Sequence, residues 1–383
     1  MHARTDTLAD IAEKVRAGQR LGIEEGLRLY ATPDIHTLGE LANHVREKLH
    51  SRRTYYNVNL HINYTNYCLL RCKFCSFYRP YPVQGRDAPA GDPETPSDDG
   101  YALSIEQIVE RAQWAVRQGA TEVHITGGLH PKLPFTFYVE MCRQIRQACP
   151  SLHIKAFTAV EIIHFTRIAR PPLSIPQVLD QLVEAGLDSL PGGGAEIFDA
   201  RVHDEVFKNK VGQAGWFDVH RAAHERGIYS NATMLYGHIE GREERLNHLL
   251  KLRAHQDWAI ANAQARFNCL VPLSFIPQRS ELAHLPGPTG LEDLRTLAVA
   301  RLMLDNVPHI KAFWVMQTPK LAQVSIDWGV DDVDGTVMHY EITREGGRDA
   351  DAQVLPVERI RRMIREAGGE PVERDSLYEP VAR

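Results

Sequence analysis

Cys68, Cys72 and Cys75 fall within eight residues of the stretch NYCLLRCKFCSFYRP, residues 66–80, and Phe77 and Tyr78 follow at once. The spacing C-x3-C-x2-C lets three sulfurs converge from one tight loop, and thiolates are soft ligands suited to zinc, copper(I) or iron-sulfur centres. Three arrangements compete. A structural zinc ion wants a closed tetrahedron, for which His61 is a conceivable fourth ligand, but a second C-x2-C pair is missing. A ferredoxin-like carrier wants four thiolates, and no other cysteine stands in a suitable loop. A 4Fe-4S cluster held at three irons leaves the fourth iron open to a ligand, and an open iron is a place for chemistry.

The elements that must position such a loop can be read from hydrophobic periodicity. Residues 6–50 read as helices, with apolar positions three and four apart in LADIAEKV, LGIEEGLRLY and TLGELANHVREKL. From about residue 57, β-like runs alternate with amphipathic ones: VNLHIN, SIEQIVERAQWAVRQG, TEVHIT, FYVEMCRQIRQAC, HIKAFT, and so on to HIKAFWVM. Strand-helix alternation predicts a parallel sheet, and seven or more such strands fit a barrel better than an open sheet. The cysteines follow the first β-run, where a barrel places its active-site loops. The expected fold is therefore α/β, a TIM-like (β/α) barrel, partial or full, over residues 57–340. A helical extension precedes it at 1–56, and a C-terminal strand and helix appendage follows, its strand in the run after residue 328 and its helix and tail at 341–383.

HIKAF occurs twice, at 153–157 and 309–313, each time in a strand-like run, which reads as an echo of repeated βα units. The segment 80–100 is rich in Pro, Gly and Asp and reads as a loop or lid after the cysteines. PQRSELAHLPGPTG, 277–290, reads as a second loop at a strand end.

Composition narrows the function. With 43% hydrophobic and 24% charged residues the chain is ordinary for a soluble globular protein, and no run of about 18 apolar residues suggests a membrane span. The N-terminal residues lack the apolar core of a signal peptide, so a cytoplasmic location and no membrane partner are expected. A net charge of -5 offers no general attraction to nucleic acid, which leaves a small molecule as the expected partner. Six cysteines in 383 residues do not make a disulfide scaffold. Cys142, Cys149 and Cys269 read as core packing.

The cysteine spacing followed by an aromatic pair resembles the radical S-adenosylmethionine superfamily. HITGGLHP, HIKAFTAVEI, GLDSLPGGGAEIFD, SNATMLYGHIE and RLMLDN extend the resemblance to its aminofutalosine synthases, over most of residues 57–340. The cyclic dehypoxanthine futalosine synthases, a sister group of the same menaquinone pathway, are the nearest rival. A non-catalytic iron-sulfur or zinc protein is the alternative from another class.

The resemblance implies a transferase with a 4Fe-4S cluster on Cys68, Cys72 and Cys75, and S-adenosylmethionine consumed as a co-substrate. An external one-electron reductant, of flavodoxin or ferredoxin type, would start the reaction. The 5'-deoxyadenosyl radical would add to the alkene of 3-[(1-carboxyvinyl)oxy]benzoate, a substrate with two carboxylates. Aryl migration and loss of carboxylate as bicarbonate would give 6-amino-6-deoxyfutalosine. Phe77 and Tyr78 correspond to the adenine contact, and Gly127 and Gly128, with Thr126 before them, to the turn that receives the methionine amine. Glu161 and Glu196, taken as strand-end carboxylates, are cofactor candidates. Ser230, Asn231, Thr233 and Arg279 are substrate candidates, and His61 and His238 are candidates for acid-base catalysis.

Overall fold

The computed structural model describes residues 8–82, 100–207, 209–336, 340–342 and 353–382. Residues 83–99, most of the segment read as a lid, lie outside the described residues. Nine strands are present among the described residues. β1 (Arg53–Asn57) and β2 (Asn59–Ile62) form one run broken at Val58, followed by β3 (Glu122–Ile125), β4 (His153–Ala156) and β5 (Ser230–Tyr236). β6 (Phe267–Ser274), β7 (His309–Ile310), β8 (Asp332–Gly335) and β9 (Glu370–Glu373) complete the set.

Every strand pairing is parallel: β2–β3–β4, β5–β6–β7 and β8–β1–β9. Single bridges join these sheets, Lys155 with Ser189, Leu190 with Ser230 and Lys311 with Asp332. The ring thus closes through β1/β2, β3, β4, residues 189–190, β5, β6, β7 and β8, and the barrel is full rather than partial. β5 is buried along its whole length, as expected of a parallel strand covered on both faces.

Local chemistry explains the turns between layers. Ser104, Thr158 and Ser174 each head a helix, Ile105–Arg117, Ala159–Ile168 and Ile175–Glu184, through a reciprocal capping box with Gln107, Glu161 and Gln177. At the end of Ile175–Glu184, Gly186 takes a φ of 110° before the chain enters residues 189–190. Helix Ala159–Ile168 was not expected from the sequence. It places Glu161 in the first turn of a helix and not at a strand end.

Helix Ile35–His50 of the N-terminal extension packs on helix Gly290–Met303 of the barrel. The C-terminal residues do more than form a polar tail. After helix Val357–Glu366, β9 pairs with β1, and the chain then seals the N-terminal mouth of the barrel. There Arg374, only 1% exposed, donates from Nε to Asp332 at 2.7 Å. Ser376 meets Glu122, and Tyr378 stacks on His309 with centroids 3.6 Å apart. Composition hid this strand: EPVE has no apolar alternation, and its one buried side chain, Glu373, is polar and accepts a hydrogen bond from Tyr56 of β1. Arg374→Met leaves the buried Asp332 short of its partner and is expected to cost about 3 kcal/mol, read as a lower urea midpoint at an unchanged m-value.

Candidate active site

The cysteine loop leaves the C-terminal end of β2 and is fixed from three sides. Cys68 N–H donates to Arg79 O (3.1 Å), Leu69 N–H to Leu129 O (3.0 Å) and Lys73 N–H to Val206 O (2.9 Å). Gly128 makes this packing possible, since a Cβ there would stand 2.3 Å from the Tyr67 carbonyl oxygen. A Cβ on Gly127 would stand 2.7 Å from the Tyr64 ring. The expected reason for the glycine pair was close approach of a ligand; the neighbours that exclude a Cβ are the protein's own.

The three thiols are half-buried and open onto one cavity. Burial pushes the Cys68 thiol up to about 11 and Cys72 up to about 12, and raises Cys75 as well. Thiols so placed become thiolates by binding a cation. Cys68 Sγ already accepts N–H groups from Leu70 and Leu129, both at 3.3 Å. Among the described residues, the trio of His, Cys or carboxylate side chains with all ligand atoms within 4.8 Å of one another is His50, His309 and Asp331, on the barrel floor. That trio is already compensated by Arg301, which pairs with Asp331. The thiols are spread more widely, whereas sulfurs around one zinc lie about 3.8 Å apart at a bond length near 2.3 Å. The donor set fits a larger iron-sulfur cluster better than a single ion.

The cavity, ≈ 300 Å³, runs from the cysteines into the barrel. Its lining includes Phe77, Tyr78, Thr126, Gly127, Gly128, Glu161 and Glu196 of the cofactor candidates, with His61, Asn231 and Thr233. Some of these have their polar atoms engaged by the protein. Thr233 Oγ1 donates to Gly192 O at 2.8 Å and holds the triple-glycine turn. Glu161 Oε1 accepts from Tyr64 (2.7 Å) and from Gly127 N–H (3.2 Å), while Oε2 accepts from the Thr158 N–H and hydroxyl, both at 2.8 Å. Burial raises its carboxyl to about 7. Glu161 therefore shapes the glycine turn. Glu161→Ala is expected to raise roughly tenfold the KM for S-adenosylmethionine, the cofactor that the resemblance implies for this turn, the effect of losing one or two buried hydrogen bonds; steady-state kinetics with that cofactor varied check it.

Ser230, His238 and Arg279 stand outside the lining. Strand parity separates Ser230 from its neighbours: Asn231, Thr233 and Leu235 point inward, and Ser230 faces the helix layer. Its hydroxyl bonds His220 Nδ1 and His224 Nε2, each at 2.8 Å. The His238 side chain is buried in the turn after β5, with Nε2 3.2 Å from Leu235 O and Nδ1 3.1 Å from Glu240. Arg279 sits in the loop after β6 with a φ of 58°.

Three lysines of the lining were not anticipated as site residues. Lys155 pairs with Glu122 (2.6 Å), Lys311 with Asp334 (2.8 Å), and Lys210 with Glu196. Each partner also belongs to the lining. Glu196 and Asp334 have φ values of 44° and 63°, strain of a kind that concentrates at functional sites. Lys155 and Lys311 are the central residues of the two HIKAF repeats, so a signal for them was present in the sequence. Lys210, whose Nζ lies 5.0 Å from the Phe74 ring of the cysteine loop, had none.

A closed parallel barrel with a three-thiol loop at its C-terminal mouth is the architecture of a radical S-adenosylmethionine enzyme, and residues 62–252 match the Radical SAM superfamily. Residues 266–383 match the CofH/MqnC C-terminal region. The chain is 45% identical to the aminodeoxyfutalosine synthase of Thermus thermophilus, over 99% of this chain and 97% of that one. It is 38% identical to the aminodeoxyfutalosine synthase of Streptomyces coelicolor, over 97% and 93%. Among solved structures, methylornithine synthase shares the fold, with a TM-score of 0.71 at 18% identity, covering 94% of this chain and 97% of that one. The chain belongs to the aminodeoxyfutalosine synthase family of the radical S-adenosylmethionine superfamily. It is a transferase of that class, and among its described residues no helix is long and apolar enough to cross a membrane.

Proposed function

We propose that this enzyme joins the 5'-deoxyadenosyl group of S-adenosylmethionine to 3-[(1-carboxyvinyl)oxy]benzoate, with aryl migration and loss of carboxylate as bicarbonate. The products are 6-amino-6-deoxyfutalosine and methionine, and the setting is menaquinone biosynthesis in the cytoplasm. The observation that carries this reading is the near full-length likeness to aminodeoxyfutalosine synthases.

A bound 4Fe-4S cluster, reduced by a flavodoxin or ferredoxin, would supply the electron that cleaves the sulfonium. Cys68, Cys72 and Cys75 hold it in this scheme. Phe77, Tyr78 and the 126–128 turn receive the nucleoside and the methionine end. The remaining lining has two tasks. It must keep the alkene within about 3–3.5 Å of the reacting carbon before chemistry begins, and it must exclude water and hydrogen donors that would quench a radical. Val271, Leu273, Phe275 and Met316 give one wall the apolar character the second task needs.

The test is anaerobic incubation of the cluster-reconstituted protein with dithionite, S-adenosylmethionine and the carboxyvinyloxybenzoate. Mass spectrometry is expected to find 6-amino-6-deoxyfutalosine only when all three are present. Formation of free 5'-deoxyadenosine from S-adenosylmethionine when a futalosine-derived substrate supplies the hydrogen atom, with no product from the benzoate, would transfer the chain to the sister activity.

A further inference from the structure

His61, His124 and Lys155 form one rung across the barrel wall. The register pairs His61 with His124 across β2 and β3, and His124 with Lys155 across β3 and β4. All three side chains line the cavity. The two imidazoles stack, with centroids 4.5 Å apart. Groups that can carry like charge, set directly opposite one another, are an unfavourable choice for a wall that only packs.

Packing alone also leaves polar atoms unexplained. His61 is 3% exposed, yet its Nδ1 has no hydrogen-bond partner among the described residues. A buried polar atom without a partner calls for an explanation, and because this one belongs to a residue that lines the cavity, a ligand there could complete its bonding. Tyr340 meets the His61 ring edge-on at 4.7 Å and Phe313 flanks it at 6.1 Å, so the space beside the rung is an aromatic slot. The charged groups facing the two imidazoles are Glu122, Lys155, Lys311 and Asp334, and Glu122 is held by Ser376 of the floor and by Lys155. With those pairs balanced, an added anion would be answered by the histidines.

Depth fits as well. His124 precedes Gly127 by three residues, about 10 Å at 3.3 Å per residue. That leaves room for one aromatic ring and its carboxyl group between the rung and the turn at the cofactor end.

We propose that His61 and His124, with the Lys155–Glu122 pair left intact beside them, bind the ring carboxylate of the aryl substrate and so set the depth at which its vinyl group meets the cofactor. The identity of the substrate rests on the function proposed above; the anion-reading role of the rung rests on the register and the unpartnered imidazole. These are binding and positioning residues and take no part in bond making.

The test compares 3-[(1-carboxyvinyl)oxy]benzoate with 2-phenoxyacrylate, which lacks the ring carboxylate, by titration calorimetry on the reconstituted full chain. The wild type is expected to favour the diacid by about 10- to 100-fold, the range for a hydrogen-bonded carboxylate. In His61→Asn/His124→Asn that preference is expected to vanish, with binding of 2-phenoxyacrylate and of S-adenosylmethionine unchanged. Diacid binding to the wild type is also expected to take up protons, seen as a buffer-dependent enthalpy, while 2-phenoxyacrylate takes up none. A wild type that binds both acids equally, or a double variant that discriminates as well as the wild type, overturns the inference. If the double variant does not fold, the wild-type preference and proton uptake still decide. Turnover of the diacid by the wild type is scored separately, so the reaction can survive the loss of this assignment.

Discussion

Replacing Cys72 by alanine is expected to remove bound iron and product formation while the fold persists. Cys72 lies at the cavity mouth, and its Sγ makes one weak contact, 3.5 Å from Phe207 O, so little packing depends on it. Two thiols are not expected to hold the cluster proposed for all three. Losing a group that merely orients a metal ligand already costs about 10–100-fold, and loss of a ligand itself should exceed that. Iron assay, visible absorbance and mass spectrometry of the product read the loss, and circular dichroism reads the fold. Cys269→Ala is the control, since Cys269 is fully buried in β6 away from the cavity lining. It should keep its iron. A Cys72→Ala protein that stays brown and active would remove the cluster assignment.

Acid is expected to unfold this protein well above the usual carboxylate range. Three histidines in the helix layer are held neutral: burial lowers His224 to about 3, His248 to about 3 and His255 to about 4. Their bonds explain the preference. His224 Nδ1 lies 3.1 Å from His255 Nε2, so a proton on both rings would place two cations in contact. His248 Nδ1 accepts the Phe198 N–H at 3.2 Å, and protonation would break that bond. Each folded pKa lies below the unfolded value near 6.5. The unfolded chain therefore binds more protons, and stability present above pH 6.5 drains away as pH falls toward the folded values. Each group contributes a slope of about 1.4 kcal/mol per pH unit in that window. The three together remove roughly 5 kcal/mol between pH 7 and 5, against a total of about 5–15 kcal/mol for an ordinary domain. Urea melts at pH 7.5, 6 and 5 should show the midpoint falling steeply, and His255→Phe should flatten the fall. A midpoint unmoved down to pH 5 would contradict the neutral cluster.

The alternation of strand-like and helix-like runs was enough for the barrel, because a parallel strand buried on both faces and a helix with one apolar stripe write different periods into the chain. The cysteine loop was legible from spacing alone. Helix Ala159–Ile168 was not, since AVEIIHFTRI is apolar on most sides, although the capping pair Thr158 and Glu161 announced it. Parity was the larger gap. Ser230 and Asn231 are neighbours in the same strand, and only the register shows that one faces histidines and the other the cavity. β9 was invisible because its partners, β1 and the barrel floor, are remote in sequence. The pairings of Lys210 with Glu196 and of Lys311 with Asp334 join residues only 14 and 23 positions apart, but they depend on which side chains of separate segments turn into the cavity, which the sequence does not show.

The seal across the barrel floor has a bearing on how the molecule is made. Tyr56 of β1 and Glu373 of β9 are separated by 317 positions. A growing chain emerges from its N-terminal end, so β1 leaves the ribosome with both backbone edges bare, and gains β8 on one edge only after residue 335 and β9 on the other only after residue 373. Bare edges recruit other chains, and contacts this remote form slowly. Nascent-chain protection during that interval, by chaperones or by slow translation, should therefore govern the yield of this enzyme more than its final stability does.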